Sequence, residues 1–151
     1  MVETLERLVH QHPFFQDMED QHVELISGCA RNVHFDTGQI ILREGEDASD
    51  VFLIREGLVA IELPTPTRGH IRVQTVGEGD VLGWSWLVPP YRWRFTARAC
   101  RSTRALALDA QCLRTKCEQD HDLGYQFVKR FTSIVTDRLD ATRLQLMELI
   151  V

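Results

Sequence analysis

The sequence predicts a mostly β chain set between helices: an antiparallel barrel or sandwich of short strands, led by N-terminal helices and followed by one long C-terminal helix. Three observations carry this. Apolar residues recur at helical spacing over roughly the first thirty positions, short β runs cut by glycine-bearing turns fill residues 33–110, and the texture after Asp109 is helical. A chain of 151 residues, 44% hydrophobic and 26% charged, suits one packed domain, read here as 1–151 with a helical lead-in (1–32), a β region (33–110) and C-terminal helices (111–151).

In the lead-in, Val2, Leu5, Leu8 and Val9 make one helical face, which His12-Pro13 interrupts. The acidic run Asp17-Met18-Glu19-Asp20 suits a second helix start, because carboxylates oppose the positive end of the helix dipole, and Val23, Leu25, Ile26 and Cys29 continue it. The predicted strands are Val33–Phe35, Gln39–Arg43, Val51–Arg55, Leu58–Leu63, Ile71–Val76, Asp80–Leu82, Arg94–Cys100 and Thr103–Asp109. Between them lie Asp36-Thr37-Gly38, Glu44-Gly45-Glu46-Asp47, Glu56-Gly57, Pro64–Gly69 and Gly77-Glu78-Gly79, where turns need the backbone freedom of Gly and Asp.

The last segment has no Gly or Pro after Gly124, so a helix of about 25 residues is expected, roughly 35–40 Å long. Val128, Val135, Thr142 and Leu149 keep a seven-residue step, with Phe131, Leu139 and Leu146 alongside. Such a stripe on a helix longer than its domain points to a two-helix seam with a second copy; the alternative is that it packs back on its own β region.

Composition excludes several classes. No apolar run approaches the ~18 residues of a membrane span, and the start Met1-Val2-Glu3-Thr4-Leu5-Glu6-Arg7 has no basic-then-apolar pattern of a secretory signal, so a cytoplasmic chain without membrane contact is expected. A net charge of −5 offers polyanions no overall attraction, which argues against DNA binding by this chain. Cys29, Cys100, Cys112 and Cys117 are expected as free thiols, and neither they nor the six scattered histidines match a metal-ligand spacing. No nucleophile elbow or phosphate loop is present, so the chain reads as non-enzymatic with no metal.

One cluster stands apart. Trp84, Trp86 and Trp93, all the tryptophans of the chain, lie within ten residues, with Tyr91 and Phe95 beside them.

The run Phe35-Asp36-Thr37-Gly38-Gln39-Ile40-Ile41, then Gly45-Glu46, Val51-Phe52-Leu53-Ile54-Arg55-Glu56-Gly57 and Val59 resembles the glycine ladder of the cyclic nucleotide-binding domain family, the effector-domain type of catabolite activator proteins. Gly79-Asp80-Val81-Leu82-Gly83 resembles the entry to that family's phosphate-binding cassette, here 79–99. The resemblance spans nearly the whole chain and implies an eight-stranded antiparallel, jelly-roll-like β-roll. It also implies a regulatory or sensor role in which ligand closes the cassette on the terminal helix.

The cassette departs from the family pattern. The glutamate that accepts the ribose hydroxyl there is replaced by Trp84, and the arginine expected to clamp the cyclic phosphate falls on Arg94 counting from Gly83, but on Trp93 counting back from Ala97-Arg98-Ala99. A one-residue slip inverts a strand's faces, so Arg92 and Arg94 both stay open.

The candidate ligand-binding residues are therefore Gly83, Trp84, Ser85, Trp86, Arg92, Trp93 and Arg94. The resemblance adds Arg138 and Thr142 on the terminal helix, which share a face at a spacing of four. The expected ligand is a cyclic nucleotide bound weakly, or another small planar or anionic molecule stacked on indoles and held by an arginine. The alternative is a pocket filled by the tryptophans in a ligand-free scaffold. Family transcription factors continue into a helix-turn-helix domain; ending at Val151, the chain is expected to act as a homodimer on an unknown protein partner.

Overall fold

The computed structural model describes residues 4–150, so the predicted contribution of Val2 lies outside the described residues. Helix α1 (Leu5–Gln11) is capped by Thr4, whose hydroxyl accepts the Arg7 N–H at 3.2 Å. His12 ends it and opens a 3-10 turn, Pro13–Phe15, with Nδ1 accepting the Phe14 N–H at 3.2 Å. Helix α2 (Asp20–Ser27) buries Val23 and Ile26 but leaves Leu25 outward, 39% exposed.

Eight strands follow: β1 (Ala30–Phe35), β2 (Ile40–Leu42), β3 (Asp50–Glu56), β4 (Leu58–Thr65), β5 (Gly69–Gly77), β6 (Val81–Leu82), β7 (Thr96–Ala99) and β8 (Thr103–Asp109). Each contains or lies within a predicted run, with ends moved by at most a few residues, because the turns were set by residues suited to turning. They form two antiparallel four-stranded sheets, ordered β1-β8-β3-β6 and β2-β7-β4-β5. This is the predicted β-roll.

The inner strands of the first sheet, β3 and β8, hold Val51–Ile54 and Ala105–Leu108 as continuous buried runs, as expected for strands covered on both faces. In the second sheet Val59 and Ile61 lie opposite Ala99 and Ala97, all buried, and share one face. One connection depends on a missing side chain. Gly57, at φ +119°, lies so close to Thr103 that a Cβ there would fall 2.7 Å from the Thr103 Cα.

The lead-in helices are tied to the roll by His12. Its ring is 4% exposed; with Nδ1 accepting from Phe14, Nε2 carries the proton and donates it to Ile54 O at 3.0 Å. Burial lowers the pKa of His12 from its ordinary value, against the opposing pull of the Ile54 carbonyl and the Asp80 charge. The ring is neutral in the fold.

The cysteines depart from expectation. Cys29 and Cys112 form a disulfide across 83 residues, while Cys100 and Cys117 are free. Strand register explains the pairing: β1 and β8 pair from Ala30 opposite Leu108, so Cys29 falls beside Asp109, whose N–H donates to Cys29 O at 3.0 Å. Helix α3 (Ala110–Gln119) begins at that point and brings Cys112 round to Cys29.

The chain comprises two compact units, one running through Thr115 and the other from Lys116. Within the second, α4 (His121–Ile150) is 30 residues long and starts earlier than predicted. The Asp120 carboxylate accepts the Leu123 N–H at 3.2 Å, and Gly124 is held inside the helix because a Cβ there would meet Cys117 O at 3.0 Å. Burial pushes the Cys117 thiol up to about 11, with Asp120 adding to the effect. Leu123, Phe127 and Phe131 are the buried side chains of α4. Among the described residues, no helix is long and apolar enough to cross a membrane.

Candidate functional site

The cassette leaves β6 at Gly83. Gly83 has φ +77°, and a Cβ on it would stand 2.5 Å from Trp93 Cζ3 and 3.2 Å from Phe95 Cζ. Glycine is thus required twice over, for the left-handed backbone and for the indole that lies against it. The chain then makes a short turn: Leu87 N–H donates to Trp84 O at 3.0 Å and Tyr91 N–H to Val88 O at 2.9 Å. Tyr91 takes φ +58°, a conformation that costs a non-glycine residue of order 1–2 kcal/mol and so must be held by its neighbours.

Those neighbours are visible. The segment after Tyr91 pairs with the turn after β2: Ala48 N–H donates to Tyr91 O at 2.7 Å, Trp93 N–H to Glu46 O at 2.9 Å, and Gly45 N–H to Trp93 O at 2.8 Å. This pairing sets the register that was open in the sequence. Arg92 is exposed, with Nη1 donating to Gly45 O at 3.0 Å and standing 3.4 Å from Asp47 Oδ1. Trp93 is 4% exposed. Arg94 is exposed and Phe95 half-buried. The aromatic rings turn inward where the arginines turn out.

The other candidates are equally placed. Trp86 is 0% exposed, Ser85 is buried and Trp84 is half-buried. Trp93 and Phe95 meet with ring centroids 5.9 Å apart. On α4, the Thr142 hydroxyl donates to the Arg138 carbonyl of its own helix at 2.9 Å, and Arg138 is half-buried. Of the seam residues, Val128, Leu139, Leu146 and Leu149 are exposed, and so is Thr142. Val135 is half-buried. Phe131, expected on the same seam, is 2% exposed and stacked on Phe127 at 6.3 Å.

A residue without sequence signal completes the site. Arg114 on α3 donates from Nη1 to Trp86 O at 2.8 Å and lies over the Tyr91 ring, 4.3 Å from its centroid. A lone arginine in a polar helix belongs to no motif, so only the fold reveals it. Beside it runs a groove of about 340 Å³, bordered by Asp47, Ser49, Tyr91, Asp109 and Gln111. A larger cavity of about 510 Å³ lies beside the lead-in helices, lined by Leu8, His12, Pro13, Ile54, Arg55 and Glu78, and meets the cassette only at its first residue, Gly79. Among the described residues no cluster of His, Cys, Asp or Glu could hold a metal ion.

The cassette is entered through glycine and connects β6 of one four-stranded sheet to β7 of the other, with a long helix later in the chain. The structure is similar to a candidate cyclic nucleotide-binding protein from Geobacter metallireducens GS-15, with a TM-score of 0.79, 27% identity, and coverage of 92% of this chain and 99% of that one. It shares its fold with the catabolite activator protein of Thermus thermophilus, at a TM-score of 0.71, 19% identity, and 91% and 62% coverage. In sequence it is 28% identical over 130 residues to cyclic nucleotide-gated ion channel 18 of Arabidopsis thaliana. That match covers 83% of this chain and 18% of the channel, so the chain spans under a fifth of that relative's length. The family model for the cyclic nucleotide-binding domain matches residues 32–120, more than half of the 151. The chain belongs to the cyclic nucleotide-binding domain family.

Proposed function

We propose that the chain is a non-enzymatic regulatory module, acting as one domain, whose cassette does not recognise an ordinary cyclic nucleotide tightly and whose α4 signals through a homodimer to a protein partner. The observation that carries the reading is the reversal at residues 92–94: Trp93 buried, Arg92 and Arg94 exposed. A cyclic phosphate entering at Gly83 would meet an indole instead of a guanidinium. Loss of a charge-assisted hydrogen bond is worth ~1.5–3 kcal/mol, and loss of the carboxylate at Trp84 ~1–3 kcal/mol more. At ~1.4 kcal/mol per decade, affinity is expected to fall by roughly 10²–10⁴-fold relative to a fully equipped site. A ligand with a planar apolar face, stacked on the indoles, suits this lining better.

Titration with cyclic AMP and cyclic GMP, followed by equilibrium dialysis, is expected to give no saturation at micromolar ligand. Micromolar saturable binding of either would overturn the reading. Native mass spectrometry of the purified protein would identify a small molecule that co-purifies.

A second reading is supported by Trp86 and Trp93, 0% and 4% exposed: the rings fill the pocket, and the roll is a ligand-free scaffold for the helix. Failure of every planar ligand to shift the protein's stability would favour it. Both readings use the α4 seam, whose apolar side chains at Val128, Leu139, Leu146 and Leu149 stand exposed in the single chain. Val135→Asp places a charge in the middle of that stripe and is expected to give a monomer by light scattering. An unchanged mass would argue against the seam.

A further inference from the structure

Helix α3 is fastened at two points. Cys112, on its first turn, is bonded to Cys29; Asp109 reinforces the attachment by donating its N–H to Cys29 O at 3.0 Å and accepting the Cys112 N–H on Oδ1 at 2.8 Å. Two residues on, and so ~200° around the helix, Arg114 grips the cassette through Trp86 O and the Tyr91 ring. The disulfide therefore positions the turn from which Arg114 reaches. On the cassette side a groove of about 340 Å³ runs between that turn and the loop, bordered by Asp109, Gln111 and Arg114 on one side and Pro90 and Tyr91 on the other. Tyr91, the residue Arg114 covers, holds the left-handed backbone conformation of the segment.

We infer that the Cys29–Cys112 disulfide is a redox lock on the cassette: it keeps Arg114 on Trp86 and Tyr91, and its reduction by a dithiol releases that grip. The inference rests on residues 83–95 being the responsive part of the module and holds whether or not a ligand is found. The exchange balances. One thiolate of the dithiol attacks the Sγ of Cys112, the less buried residue of the pair, and expels the Cys29 thiolate. The dithiol's second sulfur then attacks its own side of the mixed disulfide and expels Cys112. Two electrons and two protons have passed to the cysteines, and the dithiol leaves as a disulfide. Cys117, with its thiol pushed up to about 11, has little thiolate at neutral pH and does not substitute for the external dithiol.

The test needs no ligand, because all three tryptophans lie in the cassette and their emission reports it directly. The full chain, purified in air, is treated with dithiothreitol while free thiols, tryptophan emission and far-ultraviolet circular dichroism are followed. The expected result is two additional thiols, a red shift with greater acrylamide quenching, and an unchanged circular dichroism signal. Arg114→Gln is expected to show the same shift with the disulfide intact and no further shift on reduction. Cys29→Ser with Cys112→Ser should show the reduced emission with or without dithiothreitol; should this variant fail to fold, the reduced wild type and Arg114→Gln decide alone. Four free thiols in the air-purified protein, reduction without an emission change, or loss of the circular dichroism signal on reduction would each overturn the lock. None of these outcomes depends on cyclic nucleotide affinity.

Discussion

Two connections in the roll use one device for different ends. At Gly57, between β3 and β4, and at Gly83, after β6, a glycine with positive φ gives up the space of its Cβ to a buried residue from later in the chain. At Gly57 the intruder is Thr103, approaching with its hydroxyl oxygen and its backbone Cα together, and that hydroxyl donates to Arg101 O at 2.8 Å. At Gly83 it is the tip of the Trp93 indole. The first contact closes the scaffold with main chain and hydrogen bonds. The second fills the place where the family's ligand chemistry is expected, using a side chain that could in principle swing away. A tight fit against glycine thus says little about function until the intruding atom is known.

Gly57→Ala is expected to have the largest effect, about 3–5 kcal/mol of lost stability by urea unfolding, since strain at φ +119° adds to a clash with Thr103 Cα that no side-chain change relieves. Gly83→Ala is expected to cost less, about 2–3 kcal/mol, because its nearest obstacle is a side chain. Combining it with Trp93→Ala should recover the steric part, so that the pair is less destabilised than the sum of its members. Strict additivity would show that Trp93 is not the obstacle.

The smallest expected effect lies at a contact that titrates. His12 closes the lead-in helices onto Ile54 as a neutral donor, and its folded pKa lies below the unfolded value. Its contribution is therefore complete above about pH 6.5 and is lost as pH falls through that unfolded value toward the lower folded one. Unfolding free energies measured from pH 7.5 to 5.5 should decline more steeply for the wild type than for His12→Asn, which cannot take up the proton. Parallel curves would remove His12 from this role.

The difference between the two glycines also marks what the sequence reveals. Strands β1 to β6 were legible because Gly38, Gly45, Gly57, Gly69, Gly79 and Gly83, each at positive φ, punctuate or border them. Local chemistry writes such turns directly. The inward turn of Trp93 was not legible, because it depends on pairing with Gly45 and Glu46 nearly fifty residues away. The Cys29–Cys112 bond was hidden for the same reason: its partners meet only through the β1–β8 register and the start of α3. Arg114 had no signal at all, since its role is defined by a carbonyl and a ring on another segment. Phe131 fits the α4 stripe by spacing, and only its burial separates it from the exposed side chains of that stripe.

The disulfide has a mechanical consequence as well. It joins the entry to β1 with the first turn of α3, so every strand of the roll lies inside one covalent ring, with the lead-in helices and α4 as its two tails. A pull between those tails would travel through the sulfur–sulfur bond and bypass the strand ladders, leaving the roll unloaded. Extension under force would come from the tails alone until the bond is cut, and only then could the eight strands unravel.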